Sequence, residues 1–149
     1  MREGEFNASN LSWIFHEVIE SSHHALGEAV SRIMAIVRAM PCAQESLEDV
    51  TLALEEALAN AIIHGNRGDP SKKVEIFGAC EDHEKLLLVI TDEGEGFDPP
   101  AIPDPTLAEN IYSTGGRGIF LMNRLMDQME FRKGGRQIVL RKRVAKGGI

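Results

Sequence analysis

The stretch "LLLVITDEGEGFDPP", residues 86–100, decides how this chain is read. Leu86 to Thr91 are apolar or β-branched without a break, the pattern of a buried strand. Asp92, Glu93 and Glu95 then alternate with Gly94 and Gly96. Glycine-rich loops after strands commonly cradle phosphates, but an acidic loop repels them. A tight hairpin fits badly, because no strand follows Gly96. A calcium loop of the EF-hand type needs oxygen ligands at its third and fifth positions, and here those are Gly94 and Gly96. A dinucleotide GxGxxG also fails, since residue 99 is proline and no helix follows. What remains is a flat, neutral ligand with hydrogen-bond donors. An adenine ring meets that description: Asp92 accepts from the exocyclic amine, and the glycines let backbone approach the ring.

Working outward, "KVEIFGAC" (73–80) and "KLLLVIT" (85–91) read as two strands joined by the polar turn EDHE. Upstream, "LSWIFHEVIES" (11–21) reads as a first strand, with Trp13 and Phe15 expected to pack there. "HALGEAVSRIMAIVRAM" (24–40) places Leu26, Val30, Ile33, Met34 and Val37 at helical steps, and Pro41 ends it. His23 and His24 read as the solvated start of that helix. A second helix is expected from Ser46, as side-chain cap with Asp49 three positions on, to Gly65 as a left-handed C-terminal cap. Downstream, residues 97–118 form a long connection holding four of the six prolines. Connections this long inside a domain usually serve function. A third helix is expected over 118–129, with Met122, Met126 and Met129 in the core, and "EFRKGG" and "RQIVLRKR" form a final hairpin. The order β-α-α-β-β-loop-α-β-β predicts an α/β two-layer sandwich, a mostly antiparallel sheet with helices on one face.

Two further segments carry chemistry. In "EEALANAIIHGN" (55–66), Glu56 and Asn60 lie one helical turn apart on the same face. Asparagine is a poor mid-helix residue, because its side chain competes for backbone hydrogen bonds. Its oxygen is a hard, neutral ligand suited to hydrated Mg²⁺. Glu56 beside it is placed to accept a proton from a hydroxyl attacking a phosphate. The bland alternative makes Glu55, Glu56 and Asn60 the wet side of an amphipathic helix. In "STGGRGIF" (113–120), Gly115, Gly116 and Gly118 run into a helix N-terminus with Arg117 nearby, an arrangement that favours anions. It is no Walker A loop, lacking Gly-Lys-Ser/Thr.

Bulk properties agree with one domain over residues 1–149, with an ordered core of about 12–143. The chain carries 16 Lys and Arg against 23 Asp and Glu, a net charge of −7, which runs against an extended nucleic-acid footprint. The late basic residues, Arg132 to Lys146, read as the solvated side of the last strand. No apolar run approaches the roughly 20 residues a membrane span needs, so no membrane partner and a cytoplasmic location are expected. Cys42 and Cys80, far apart and without a CxxC partner, are expected as reduced thiols. His64, at a helix C-terminus, reads as a capping residue rather than a metal ligand.

Taken together, an E-x-x-x-N helix, a strand ending in D-x-G-x-G-F (Asp92 to Phe97) and a G-x-G before a helix describe one ATP pocket. The set resembles the N, G1 and G2 boxes of the GHKL ATPase superfamily. Within it, "EEALANAIIHGN" and "GGRGIFLMNRLMD" resemble the bacterial anti-sigma factor/serine kinases, over residues 12 to 143. The resemblance implies a Bergerat-type ATP-binding fold and the cofactors ATP and Mg²⁺. It implies Glu56 as general base, Asn60 as Mg²⁺ ligand and Asp92 as adenine reader. Gly94, Gly96 and Phe97 would sit beside the base, and Gly115, Gly116, Arg117 and Gly118 would close over the phosphates. It further implies a homodimer that binds a sigma factor and phosphorylates a serine on a STAS-type anti-anti-sigma protein. Ser113-Thr114 stands where close family members often place an arginine, and Arg136-Gln137 where many have a threonine near the adenine. The alternative function is a non-catalytic ATP-binding module that sequesters a partner.

Overall fold

A computed structural model describes residues 8–96 and 114–143 of the chain. Strands β1 (Leu11–Glu20), β2 (Lys73–Glu81), β3 (Lys85–Thr91), β4 (Gln128–Arg132) and β5 (Gln137–Arg143) form one sheet. Its order is β1-β2-β3-β5-β4, with every neighbouring pair antiparallel. Helices α1 (His23–Ala39), α2 (Leu47–Ala59) and α3 (Thr114–Leu125) cover one face. The α/β two-layer arrangement read from the element order is the one observed.

The uninterrupted apolar run of β3 follows from its central place. Leu86, Leu88 and Ile90 point into the core beneath the helices, while Leu87 and Val89 pack with Phe77, Ala79 and Val139 on the opposite face. A strand buried on both sides has no solvent-facing register to fill with polar residues. Helix α1 buries Ala29, Ile33, Met34 and Val37, and Ser22 caps it by accepting from the Ala25 amide at 3.0 Å. The next helix buries Val50, Ala53, Leu54, Ala57 and Leu58. Met122 and Met126 are core residues and Met129 packs against them, as the spacing predicts.

Five local expectations are corrected. Ser46 precedes α2 but its hydroxyl makes no cap bond; only its carbonyl is used, accepting from Val50 N–H at 3.0 Å. Gly65 is not a left-handed cap. The chain runs on from α2 through a π-helical turn, Asn60–Gly65, and positive φ first appears at Arg67 and Gly68. The third helix spans Thr114–Leu125 rather than 118–129, because the chain from Gln128 is drawn into β4 pairing with β5. Trp13 is 54% exposed with φ of 54°, at a register shift between Ser12 and Phe15, so only Phe15 packs on the core. Cys42 and Cys80 are both buried and form a disulfide, with Cα atoms 5.7 Å apart. The short turn Pro41–Ala43 returns the exit of α1 to the sheet beside β2, a proximity that a sequence separation of 38 conceals.

Candidate functional site

Asp92 follows the last residue of β3 and is only 7% exposed. Its amide donates to the Arg136 carbonyl at 2.9 Å, extending the β3–β5 ladder by one bond. Its carboxylate Oδ1 accepts from the Gly94 amide at 2.8 Å. Burial pushes the Asp92 carboxyl above its usual value, opposed by that amide and by the charges of Arg136 and Lys72. The niche around it is built by missing side chains. A methyl at Gly65 would overlap the whole carboxylate, its farthest oxygen lying at 2.9 Å, and one at Gly94 would collide with the Gly65 carbonyl. Gly96 has φ of 80°, and a methyl there would meet the Gly134 backbone and Arg136 Cγ.

The π-helical turn brings the second element to this niche. Asn60, Gly65, Asp92, Gly96 and Gly135 line one pocket, with His64 at the same turn. Such turns widen a helix locally and recur at functional sites. Asn60 is 9% exposed, and its carboxamide makes no hydrogen bond to another described residue. A hard, neutral oxygen donor lining a pocket fits a hydrated cation. His64 is exposed, while the turn's closing N–H···O bond runs from Asn66 to the Ala61 carbonyl.

One turn before Asn60, Glu56 is half-buried and lies against α3: a methyl at Gly118 would stand 2.8 Å from its Oε2. Gly115, Gly116 and Arg117 lie in the first turn of α3, not in a loop ahead of it. Amides in the first turn of a helix lack partners within it. Phe97 and most of the long connection lie outside the described residues. Asp92 and Asn60 share the pocket, and Glu56, one turn before Asn60, faces Gly118 of α3.

Two contributors escaped sequence reasoning. Gly65 reads in sequence as a cap, whereas its lack of a side chain makes room for Asp92. Asn66, 1% exposed, bonds three separate parts of the chain. The only local signal was the run "HGN" five residues beyond Asn60. Nothing in it indicates partners 27 and 45 positions away.

Three of the late basic residues have partners. Arg141 forms a two-pronged ion pair with Glu81, at 2.7 and 3.3 Å. Lys142 donates to the Leu125 carbonyl at 2.6 Å, and Arg143 faces Glu84 at 3.7 Å. Among the described residues no helix is long and apolar enough to cross a membrane.

Comparison with known proteins places these features in a family. A serine-protein kinase RsbW of Bacillus licheniformis is 31% identical over 106 residues, covering 65% of this chain and 64% of that protein. Its namesake in Oceanobacillus iheyensis is 32% identical over 112 residues, covering 70% of each. The chain thus spans just under two thirds of the first relative's length. A histidine kinase domain of the Erythrobacter litoralis blue-light activated histidine kinase matches in structure with a TM-score of 0.45 at 17% identity, covering 82% of this chain and 62% of that one. A family model described as the histidine kinase-like ATPase domain matches residues 19–142, which hold all three helices, strands β2 to β4 and β5 up to its last residue. The chain belongs to the histidine kinase-like ATPase domain family.

Proposed function

We propose that this protein binds Mg²⁺-ATP in the pocket between α2 and the end of β3. In this reading it transfers the terminal phosphoryl group to a serine of a STAS-type anti-anti-sigma protein, and it binds a sigma factor as a homodimer. The observation that carries the reading is the niche of Asp92, a buried carboxylate walled by Gly65 and Gly94 and sharing one pocket with Asn60. A purine amine supplies the donor that such an acceptor lacks. The similarity to serine-protein kinases supports the choice of reaction.

A bound Mg²⁺ would be held in part by the Asn60 oxygen and would supply neutralisation of phosphate charge. Glu56 takes the proton of the incoming serine hydroxyl as its oxygen bonds to the terminal phosphorus, and ADP leaves with the electron pair of the broken bond. The first-turn amides of α3 face negative charge favourably, and Gly118 leaves Glu56 unobstructed. Edge strand β1 exposes Trp13, Ile14 and Val18, an apolar strip that supports pairing of two copies.

The test combines labelled ATP with a STAS-type anti-anti-sigma protein. Transfer to serine is expected, with a drop of about 10²-fold or more in Glu56→Ala while ATP binding persists. Unchanged transfer in that variant removes Glu56 from the chemistry. Absence of transfer by the unsubstituted chain, with ATP-dependent capture of a sigma factor retained, favours the non-catalytic module. The replacement of an arginine by Ser113-Thr114 supports that second reading.

A further inference from the structure

We propose that Asn66 is a positioning residue that aims Asp92 at the base and so sets the preference for adenine over guanine. The inference rests on the reading of Asp92 as base acceptor, and extends it to a residue that touches no nucleotide.

Asn66 closes the π-helical turn, its own amide donating to the Ala61 carbonyl at 2.8 Å. Its side chain is buried and fully used. The carboxamide oxygen accepts from the Glu93 amide at 2.8 Å. Its nitrogen donates to Ser21 Oγ at 2.8 Å and to the Lys73 carbonyl at 3.0 Å. The Ser21 hydroxyl donates to the Lys72 carbonyl at 2.8 Å, and the Glu93 carboxylate accepts from the Lys73 amide. One carboxamide thus joins the β1–α1 junction, the start of β2 and the loop after β3.

The direction of this linkage matters. Glu93 is the residue immediately after Asp92, so fixing its amide fixes the peptide that orients the Asp92 carboxylate. The carboxylate is held a second time by Gly94, which rests on the Gly65 carbonyl, and Gly65 precedes Asn66 in the chain. Asn60 and Asn66 bracket the same turn. The residue that lines the pocket for the phosphate end and the bond that steadies the base end are therefore carried on one rigid unit. Without the Asn66 oxygen the Glu93 amide loses its acceptor, and with it the one side-chain bond shown between the Asp92 loop and the end of the π-helical turn. Catalytic and binding groups displaced by about 1 Å lose much of their effect.

The assay is titration of the full chain with ATP and with GTP, alongside thermal melts, for Asn66→Ala, Asn66→Asp and a control, Val50→Ala. Val50 is a fully buried α2 residue away from the loop. Asn66→Ala is expected to weaken ATP binding about tenfold and GTP binding no more than about threefold, narrowing the preference by about three- to tenfold. Asn66→Asp keeps an acceptor for the Glu93 amide but sets a carboxylate oxygen against the Lys73 carbonyl. It should melt at least as low as Asn66→Ala while holding a preference closer to that of the unsubstituted chain. Val50→Ala should melt lower with the preference intact. If Asn66→Ala gives no cooperative melt, the same criteria pass to Asn66→Ser, whose hydroxyl is too short to reach Glu93. An ATP preference retained in the alanine or serine variant, or lost equally in Val50→Ala, overturns the role of Asn66 alone. Equal binding of ATP and GTP by the unsubstituted chain overturns the base-acceptor reading beneath it.

Discussion

Gly65→Ala offers a direct probe of the pocket, because it adds one methyl group where the structure leaves no space. All three atoms of the Asp92 carboxylate would fall within 2.9 Å of the new carbon. Heavy atoms pack best at about 3.5–4.0 Å, so the carboxylate or the turn must give way by something on the order of 1 Å. Gly65 does not have a positive φ, so alanine strains no dihedral there, and it gains about 0.5–1 kcal/mol of helical preference over glycine. Overpacking costs about 1–3 kcal/mol, so the apo protein should lose little net stability. Nucleotide binding should lose more. A hydrogen bond to a charged group contributes about 1.5–3 kcal/mol, so a displaced Asp92 weakens ATP on the order of a hundredfold.

The melting assay turns this into a clear contrast. At ATP a hundred times the dissociation constant of the unsubstituted chain, binding stabilises by about 2.7 kcal/mol. At roughly 2–4 °C per kcal/mol for a chain of this size, Tm rises by about 5–11 °C. With affinity reduced a hundredfold, the same ATP concentration only equals the dissociation constant. Stabilisation then falls to about 0.4 kcal/mol and the shift to about 1 °C. Should Gly65→Ala keep the full ATP shift, the carboxylate of Asp92 is not what the base needs, and the reasoning fails.

Asp92→Asn should separate stability from binding. The folded carboxyl holds its proton more tightly than the unfolded chain does, so its contribution favours folding at low pH and is lost as pH rises from the usual carboxylate value through the raised one. The amide cannot ionise, so near pH 7 the apo variant should melt no lower than the parent, and this pH dependence should flatten while the ATP shift disappears. A lower melt with ATP binding intact would contradict both halves. Reduction of the Cys42–Cys80 bond reopens a loop of 38 residues, and chain entropy predicts a loss of about 4 kcal/mol, or roughly 8–16 °C in Tm. Identical melts with and without dithiothreitol would show that the bond does not form in solution. Val18→Glu places a charge on the exposed edge strand, where Val18 is 54% exposed, and should convert a dimer to a monomer by sedimentation without lowering Tm. An unchanged mass means that the contact between copies lies elsewhere.

Much of the fold is legible in the chain because its signals are local. The apolar run at Leu86–Thr91, the three- and four-residue steps of Ile33, Met34 and Val37, and the stop at Pro41 each follow from backbone geometry and burial on one element. The candidate site was legible for a similar reason: Glu56 and Asn60 share a helical face whatever the helix packs against. The misreadings came where an element's end depends on its neighbours. Gly65 looks like a left-handed cap in isolation, but it is the last residue of a π-helical turn capped by Asn66, whose side chain finds partners in the sheet. Helix α3 ends sooner than its periodicity indicates because β5 offers a better partner to residues from Gln128 onward.

By itself the sequence determined the element order and the two-layer packing, and it marked three candidate segments, because periodicity and glycine spacing are properties of a short piece of chain. Only the tertiary structure decided that Gly65 must lack a side chain, that Asn66 ties Ser21 to Glu93, and that Cys42 meets Cys80. Those contacts depend on sheet register and on where α2 settles over the sheet. A free-energy balance over the whole core sets both, and no single segment contains it.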